Sequence, residues 1–222
     1  MIVHMNWSKH RGGEGRRGYH HGNLREALIR GALALIAEKG PAGFTIADAA
    51  RSAGVSPAAP YRHFRDRDDL MADVARLGFE EFTARLAAAW NDGRPDPFRA
   101  FENVGKAYLA FARDEPAFYA AMFDAGIPAE PTPELRLASE QAFGVLREAS
   151  EAICQSLPKD KRPPAMMIAL HVWAVSHGIA SLFGRGGKGG HKTPMSPEEL
   201  LEAAILIYFQ GLGINFSGTA AP

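Results

Sequence analysis

Apolar residues recur every three or four positions along almost the whole chain, and this helical spacing limits the fold more than any other feature of the sequence. No stretch has the convincing two-residue alternation of a half-buried strand. With 222 residues, of which 46% are hydrophobic, the chain is long enough to bury a sizeable core in one domain or in two small ones. The pattern therefore predicts an all-α protein.

The first third of the chain carries signals for short helices joined by a tight turn. One predicted helix starts at Asn23 and stops at Gly40. A second is capped by Thr45, with Asp48 as the reciprocal partner, and stops at Gly54. Ser56 then follows as the cap of a third helix. Two short capped helices joined by a turn that contains glycine are typical of a helix-turn-helix unit, which we place within residues 20–67.

Longer helices follow, and they form a second predicted domain over residues 68–216. Proline- or glycine-rich breaks separate them, and residues 184–194 form a Gly-rich linker. Residues 1–19 are predicted to be a disordered basic arm and residues 217–222 a disordered tail. The predicted long helices span Asp68 to Trp90, Phe98 to about Phe111, 116–123, Leu135 to about Leu157, Ala165 to Phe183 and Pro197 to Ile214.

The net charge of zero hides a strong asymmetry. Residues 1–67 hold 11 Lys and Arg against 5 Asp and Glu, whereas residues 68–222 hold the remaining 14 against 20. A basic head on an acidic body favours an anionic partner for the head, and nucleic acid is the usual one. A basic tail that is merely solvated is the alternative.

Cysteine content and hydropathy indicate a cytoplasmic protein. Cys154 is the only cysteine, which fits a reducing compartment. No apolar run in the sequence approaches the roughly 18 residues that a membrane-spanning helix needs, so no membrane span is expected. The N-terminal stretch lacks the apolar centre of a secretory signal.

Residues 44–70, "FTIADAARSAGVSPAAPYRHFRDRDDL", resemble the DNA-binding block of TetR-family transcriptional regulators. Residues 108–123 and 173–183, "YLAFARDEPAFYAAMF" and "WAVSHGIASLF", resemble the Trp-His-Gly (WHG) subclass of the C-terminal domain. The resemblance covers roughly residues 20–214. It implies a homodimeric regulator, with a helix-turn-helix head and a helical body that binds an effector. A ligand-released repressor is the usual type, and a ligand-independent DNA-binding protein or an activator stays open.

The resemblance also implies which residues contact DNA. Phosphate contacts fall to Thr45, Ser56, Tyr61, His63 and Arg67. If Ser56 caps the third helix, Pro57 occupies the first helical position, where proline is favoured, and Pro60 occupies the fourth, where one hydrogen bond is lost.

Direct base reading has few candidates in this block. The methyl groups of Ala58 and Ala59 can touch thymine methyl groups, and Arg62 reads a base or binds a phosphate. Arg16 and Arg17 are candidates for a minor-groove arm.

Aromatic residues of the body are candidates either for core packing or for an apolar effector pocket. His177 lies on one helical stripe with Trp173, and it either satisfies a carbonyl group or contacts the ligand. Gly178 is expected to permit close helix approach. The proposed effector-binding residues are Phe101, Tyr108, Phe118, Tyr119, Met122, Trp173 and His177, with Phe111 and Phe123 among the same aromatics.

The last predicted helix is apolar over too much of its circumference for a surface helix. One of its two apolar stripes is expected to pack on the body, while the other meets a second copy across a two-fold axis. One stripe consists of Leu201, Ala204, Ile205, Tyr208 and Leu212, and the neighbouring one of Leu200, Ala203 and Ile207. A palindromic operator follows from such a dimer. The predicted dimer contacts are Leu200, Ala203, Ala204, Ile207, Tyr208 and Gly211.

Enzymatic readings find little support in the sequence. His171 and His177 are six residues apart and so lie on opposite faces of a helix, and no Gly-rich phosphate loop or metal-binding Cys pair is present. We therefore expect no cofactor and no metal. An all-helical enzyme with a basic N-terminal extension is the rival class.

Overall fold

The structure is a computed structural model that describes residues 24–126, 131–183 and 194–213. This part of the chain folds into eight α-helices and short 3₁₀ turns, with no strand among the described residues. The predicted all-α class is therefore confirmed. The helices are α1 (Leu24–Lys39), α2 (Ile46–Ser52), α3 (Arg67–Trp90), α4 (Pro97–Asp114), α5 (Pro116–Phe123), α6 (Pro133–Gln155), α7 (Ala165–Phe183) and α8 (Pro197–Gly211).

The first two helices form as predicted and pack on each other. Thr45 caps α2, and Asp48 completes the capping box. Gly54 then turns the chain with a φ of 70°, a left-handed conformation that favours glycine. Leu28, Ala49 and Phe64 are buried between these segments.

The predicted third α-helix is wrong in form, because residues 60–62 make only one 3₁₀ turn, Pro60–Arg62. Pro60 has no N–H to give to Ser56, and the Ala59 N–H bonds to the Ser56 carbonyl instead, at 3.0 Å. The N–H groups of His63 and Phe64 then both reach the Pro60 carbonyl, at 2.9 and 3.0 Å. Proline in this position therefore shortens the helix to a turn.

Helix α3 runs from the head into the body and packs against α4, α5 and α6. Asp66 caps its start by accepting from the Asp69 N–H at 2.8 Å. Near its end, the Trp90 indole donates to Glu148 of α6 at 3.1 Å. One continuous helix therefore joins the predicted DNA-binding head to three helices of the body.

The remaining helices enclose the core of the body. Phe98 and Phe101 of α4 pack edge to face on Phe209 of α8, with ring centroids 6.3 and 5.6 Å apart. The predicted ends of α6 and α8 differ from the observed ones by two or three residues. The basic arm with Arg16 and Arg17, the start at Asn23, most of the Gly-rich linker and the C-terminal tail lie outside the described residues.

Helix α7 corrects the expectation about membrane spans. Its 19 residues, with a mean hydropathy of 1.5, are long and apolar enough by length and composition to cross a membrane. The sequence reading missed it because His171 and His177 interrupt the apolar run. In the structure α7 packs against α4, α6 and α8, and it buries Ile168, Ala169 and Val172 among its residues.

Candidate functional site

The turn after α2 presents a compact group of exposed polar side chains. Tyr61 is 59% exposed, and Arg62 and His63 are exposed beside it. Buried Pro60 and Phe64 on either side fix this turn against the core of the head. Phenol, guanidinium and imidazole groups on a rigid turn are suitable partners for phosphate oxygens and base edges.

The segment before this turn is also open to solvent. Ser56, Pro57 and Ala58 are exposed, and Ala59 is half-buried. These small residues let a neighbouring surface come close to the backbone. The predicted positions in this segment are thus accessible.

Thr45 is exposed as well, but its hydroxyl is already engaged. It donates to the Asp48 carboxylate at 2.7 Å and accepts from the Asp48 N–H at 3.2 Å. Hydrogen bonds from Thr45 hold the pKa of Asp48 below its usual value, with Arg51 contributing. The N-terminus of α2 therefore carries a carboxylate. Arg51, whose side chain is 79% exposed, adds a basic group that the sequence reading did not select.

Arg67 has a different environment from the one expected for a phosphate contact. Its guanidinium donates to the Phe44 carbonyl at 3.0 Å and to the Pro41 carbonyl, and it lies over the Phe44 ring. The loop between α1 and α2 leaves these carbonyl groups without helical partners. Arg67 thus ties this loop to the first turn of α3.

A cavity of about 420 Å³ lies in the body, with walls formed mainly by α3, α4, α6 and α7. Its volume is within the range of small-molecule sites. The walls are mostly apolar, with few polar groups. The lining residues are Phe79, Phe82, Leu86, Val104, Gly105, Tyr108, Phe123, Ser139, Glu140, Ala142, Phe143, Leu146, Leu170, Val172, Trp173 and Ser176.

Only part of the predicted pocket coincides with this cavity. Tyr108 and Trp173 line it, as does Phe123. Phe101 does not, because its ring packs on Phe209 between α4 and α8.

Phe118 and Met122 of α5 are core residues instead of cavity residues. They pack over Gly78 of α3, where a Cβ would come within 2.8 Å of the Met122 sulfur and 3.2 Å of the Phe118 ring. Gly178, by contrast, has no neighbour within 4 Å of such a Cβ, so its predicted role in close packing is wrong within the described chain. The predicted pocket residues lie on α4, α5 and α7. The lining residues of α3 and α6 were not predicted.

Tyr119 and His177 do not line the cavity but form a polar cluster with Tyr108 beside it. The hydroxyls of Tyr108 and Tyr119 lie 3.1 and 2.9 Å from the His177 Nδ1. Burial raises the pKa of Tyr108 far above its usual value, with Tyr119 as the next cause, so the phenol stays protonated. His177 therefore holds tyrosine hydroxyls, and its predicted contact with a carbonyl group or with a ligand stays a prediction.

An ion-pair cluster connects the head to α3. Arg25 of α1 donates to Asp73 Oδ1 at 2.6 Å, and Arg76 donates to the same oxygen from Nε and Nη2 at 3.0 and 2.8 Å. Asp73 is only 8% exposed, and its Oδ2 is buried without a hydrogen-bond partner. The sequence reading missed this cluster, which brings together residues 48 positions apart.

Helix α8 presents apolar surface on two sides. Leu201, Ile205 and Phe209 are buried against the body, while Ile207 is 69% exposed. Of the other predicted dimer residues, Gly211 is exposed, and Leu200, Ala203, Ala204 and Tyr208 are half-buried. Tyr208 also contacts α7, since its hydroxyl lies 3.0 Å from His171 Nδ1.

Helix α7 also exposes apolar residues. Met166, Leu170, Val175 and Leu182 are all exposed, together with Leu206 of α8. Among the described residues, no group of three or more His, Cys, Asp or Glu side chains is placed to hold a metal ion.

Two family models match the chain on either side of the α3 midpoint. Residues 28–74 match the model for bacterial regulatory proteins of the tetR family, and residues 101–208 match a tetracycline repressor-like C-terminal domain. The chain belongs to the TetR family. This family consists of DNA-binding transcriptional regulators, and the predicted family is confirmed. Membership of the WHG subclass stays a prediction.

Relatives of this TetR-family chain include a transcriptional regulator and a protein of known structure. The HTH-type transcriptional regulator CymR of Pseudomonas putida is 31% identical over 109 residues, which are 49% of this chain and 52% of that relative. The match thus spans about half the length of CymR. A protein of unknown function from Rhodococcus sp. RHA1 is 29% identical, with a TM-score of 0.73 over 88% of this chain and 98% of its own.

More distant structures share the fold. A TetR-family regulator from Bordetella parapertussis has a TM-score of 0.64 at 18% identity, covering 89% of this chain and all of its own. AibR, solved in complex with isovaleryl coenzyme A and operator DNA, has a TM-score of 0.63 at 15% identity, covering 82% of this chain and 96% of its own.

Proposed function

We propose that this TetR-family chain is a cytoplasmic, ligand-released repressor that binds a palindromic operator as a homodimer. The observation that carries the proposal is the course of α3. Its first turns contact the head through Asp73, and its later turns supply Phe79, Phe82 and Leu86 to the cavity wall. A ligand that prefers one tilt of α3 would shift the position of the head, and only a difference in affinity for the two tilts can do this.

The head supports the DNA-binding part of the proposal. Tyr61, Arg62 and His63 would supply donors to phosphates and bases, while Ser56 to Ala59 would let the backbone approach the groove. Thr45 and Arg51 would flank them, and Arg16 and Arg17 would extend the contact from the N-terminal arm. We assign Arg67 to support of the α1–α2 loop, with any phosphate contact secondary.

The cavity supports a small apolar or aromatic effector, and it gives little support to an enzyme. Its described lining residues include hydroxyl groups and the Glu140 carboxylate, but no His, Cys, Lys or Arg. General acid–base and nucleophilic catalysis rely largely on such groups. AibR binds isovaleryl coenzyme A together with operator DNA, which is a precedent for ligand and DNA acting on one fold.

The apolar surface of α7 and α8 supports the dimer. Exposed apolar residues cluster on these two neighbouring helices, as expected of an interface between subunits. Two copies related by a two-fold axis would place two heads on two operator half-sites.

The test starts with selection of bound DNA fragments by the purified protein. Arg62→Ala should weaken operator binding and reduce the slope of log affinity against log salt by about one. Arg136→Ala, at an exposed position of α6, removes the same charge from the body and serves as the control. Equal slopes for the two variants would contradict the assignment of Arg62.

The effector part is tested separately. A screen of small aromatic compounds should find one that releases the operator fragment. Ala142→Phe narrows the cavity and should raise the concentration needed for release, whereas Leu137→Ala, at an exposed position of the same helix, should not. Unchanged potency in Ala142→Phe would place the effector elsewhere.

A further inference from the structure

We infer that the cavity selects an uncharged aromatic molecule carrying one hydrogen-bonding oxygen, and that this oxygen binds the Tyr108 hydroxyl. The inference rests on the proposed function, because it takes the cavity to be the effector site. It narrows that site to one chemical class of ligand and names the residue that recognises the polar end.

The walls of the cavity favour an aromatic body for the ligand. Six of the described lining side chains carry aromatic rings, and several meet edge to face. Phe82 and Tyr108 lie 5.0 Å apart, Phe79 and Phe123 lie 5.6 Å apart, and Phe143 and Trp173 lie 5.9 Å apart. A further ring can pack on such faces and edges in the same manner.

The charges of the described lining residues disfavour an anionic ligand. Glu140 is the one charged group among the described lining residues, and it is exposed at the rim. A buried carboxylate or phosphate would find no cation there and would lie near a like charge, and an uncompensated buried charge is costly. A cationic group would meet a carboxylate only at the rim, where solvent weakens the attraction. An uncharged ligand avoids both costs.

Tyr108 supplies the polar contact. It is 4% exposed and lines the cavity, with its hydroxyl close to the His177 Nδ1. The Tyr119 hydroxyl lies at the same nitrogen. A ring nitrogen has one lone pair or one proton, so it cannot bind both hydroxyls equally well. The Tyr108 hydroxyl also interacts with the Tyr119 hydroxyl and the Trp173 side chain, so a ligand oxygen would join this hydrogen-bond network at the cavity and leave His177 to Tyr119.

Three probes of similar shape test the ligand class: 4-ethylphenol, 4-ethyltoluene and 4-ethylbenzoate. The phenol is uncharged at neutral pH, since phenolic pKa values lie near 10. Binding is measured by calorimetry and equilibrium dialysis on the full-length protein without DNA. We expect the phenol to bind at least about ten-fold more tightly than the benzoate. Tighter binding of the benzoate, or no binding of any probe, would overturn the inference.

Tyr108→Phe tests the residue. It should weaken 4-ethylphenol binding about three- to ten-fold, the effect of one net hydrogen bond, and leave 4-ethyltoluene within about two-fold. Ser156→Ala is the control, because it removes a hydroxyl that bonds to the Ala152 carbonyl of α6 and lies outside the cavity. Equal loss for both probes, or no loss for the phenol, would overturn the Tyr108 contact.

Operator release is scored in a separate assay, so the two proposals fail differently. If 4-ethylphenol binds as expected but does not release DNA, the effector role in the proposed function fails and the ligand class stands. If DNA is bound and a different, charged compound releases it through the cavity, the ligand class fails and the proposed function stands.

Discussion

Pro60 shows how one residue shapes the exposed turn of the head. Its ring is buried and its missing N–H prevents the first α-helical hydrogen bond, so the chain closes a 3₁₀ turn instead. Tyr61, Arg62 and His63 are presented together as a result. The lost hydrogen bond at Pro60 was predicted, but its effect was underestimated, because the helix was expected to continue past Pro60.

Arg67 gives a prediction at the residue scale. Arg67→Ala removes hydrogen bonds from a charged group to the Phe44 and Pro41 carbonyls, and it should lower the free energy of unfolding by about 2 kcal/mol. Denaturant unfolding measures this change. Arg65→Ala, at a side chain that is 82% exposed two residues earlier, should change stability by less than about 1 kcal/mol. If Arg67→Ala kept wild-type stability but bound DNA more weakly, the result would support the phosphate contact first predicted for Arg67.

Single helices are the elements that the sequence predicted best. Caps and prolines located the starts of α2, α3, α4 and α8 to within a residue or so, because these signals act within one turn. The cavity and the Asp73 cluster were missed, because their residues come together only through tertiary packing. Phe82 of α3 and Phe143 of α6, for example, lie 61 positions apart in the sequence and line the same cavity.

The capping box of α2 predicts an acid-sensitive element. The pKa of Asp48 is lowered in the folded state, so its stabilising effect is present above the ordinary value of 3.8 and is lost as the pH falls through the folded value. Asp48→Asn should therefore have a lower Tm than the wild type at neutral pH. The Tm difference between the two proteins should become smaller at acid pH. Melting curves of both proteins from about pH 6 to about pH 2 would measure it. A difference that stays constant with pH would contradict the role of the charge.

The contact between α1 and α3 gives another prediction at this scale. Arg25→Gln removes one donor from the buried Asp73 carboxylate, and it should destabilise the protein by about 1–3 kcal/mol. Arg30→Gln is the control, since Arg30 pairs with Glu26 on the exposed face of the same helix. We also expect Arg25→Gln to change the effector concentration that releases DNA. Equal stability of the two variants would show that the cluster does not hold the head.

At the scale of the whole molecule, α7 and α8 would join two copies of the chain. Ile207→Glu places a charge in the exposed apolar surface and should convert the dimer to a monomer at micromolar concentration, with weaker operator binding. Leu137→Glu introduces the same charge at an exposed leucine of α6 and should leave the dimer intact. Light scattering of both variants at micromolar concentration measures their molar mass and so distinguishes dimer from monomer. A wild-type monomer would remove the dimer from the proposed function.

Helix α7 has one side in the cavity and another in the exposed apolar surface, and Leu170 belongs to both. Ligand binding and subunit association then act on the same helix, and any factor by which one changes the equilibrium constant of the other holds in both directions. The ligand affinity of this protein would accordingly depend on protein concentration. A dilute sample, rich in monomer, and a concentrated sample, rich in dimer, would give different titration curves for the same compound.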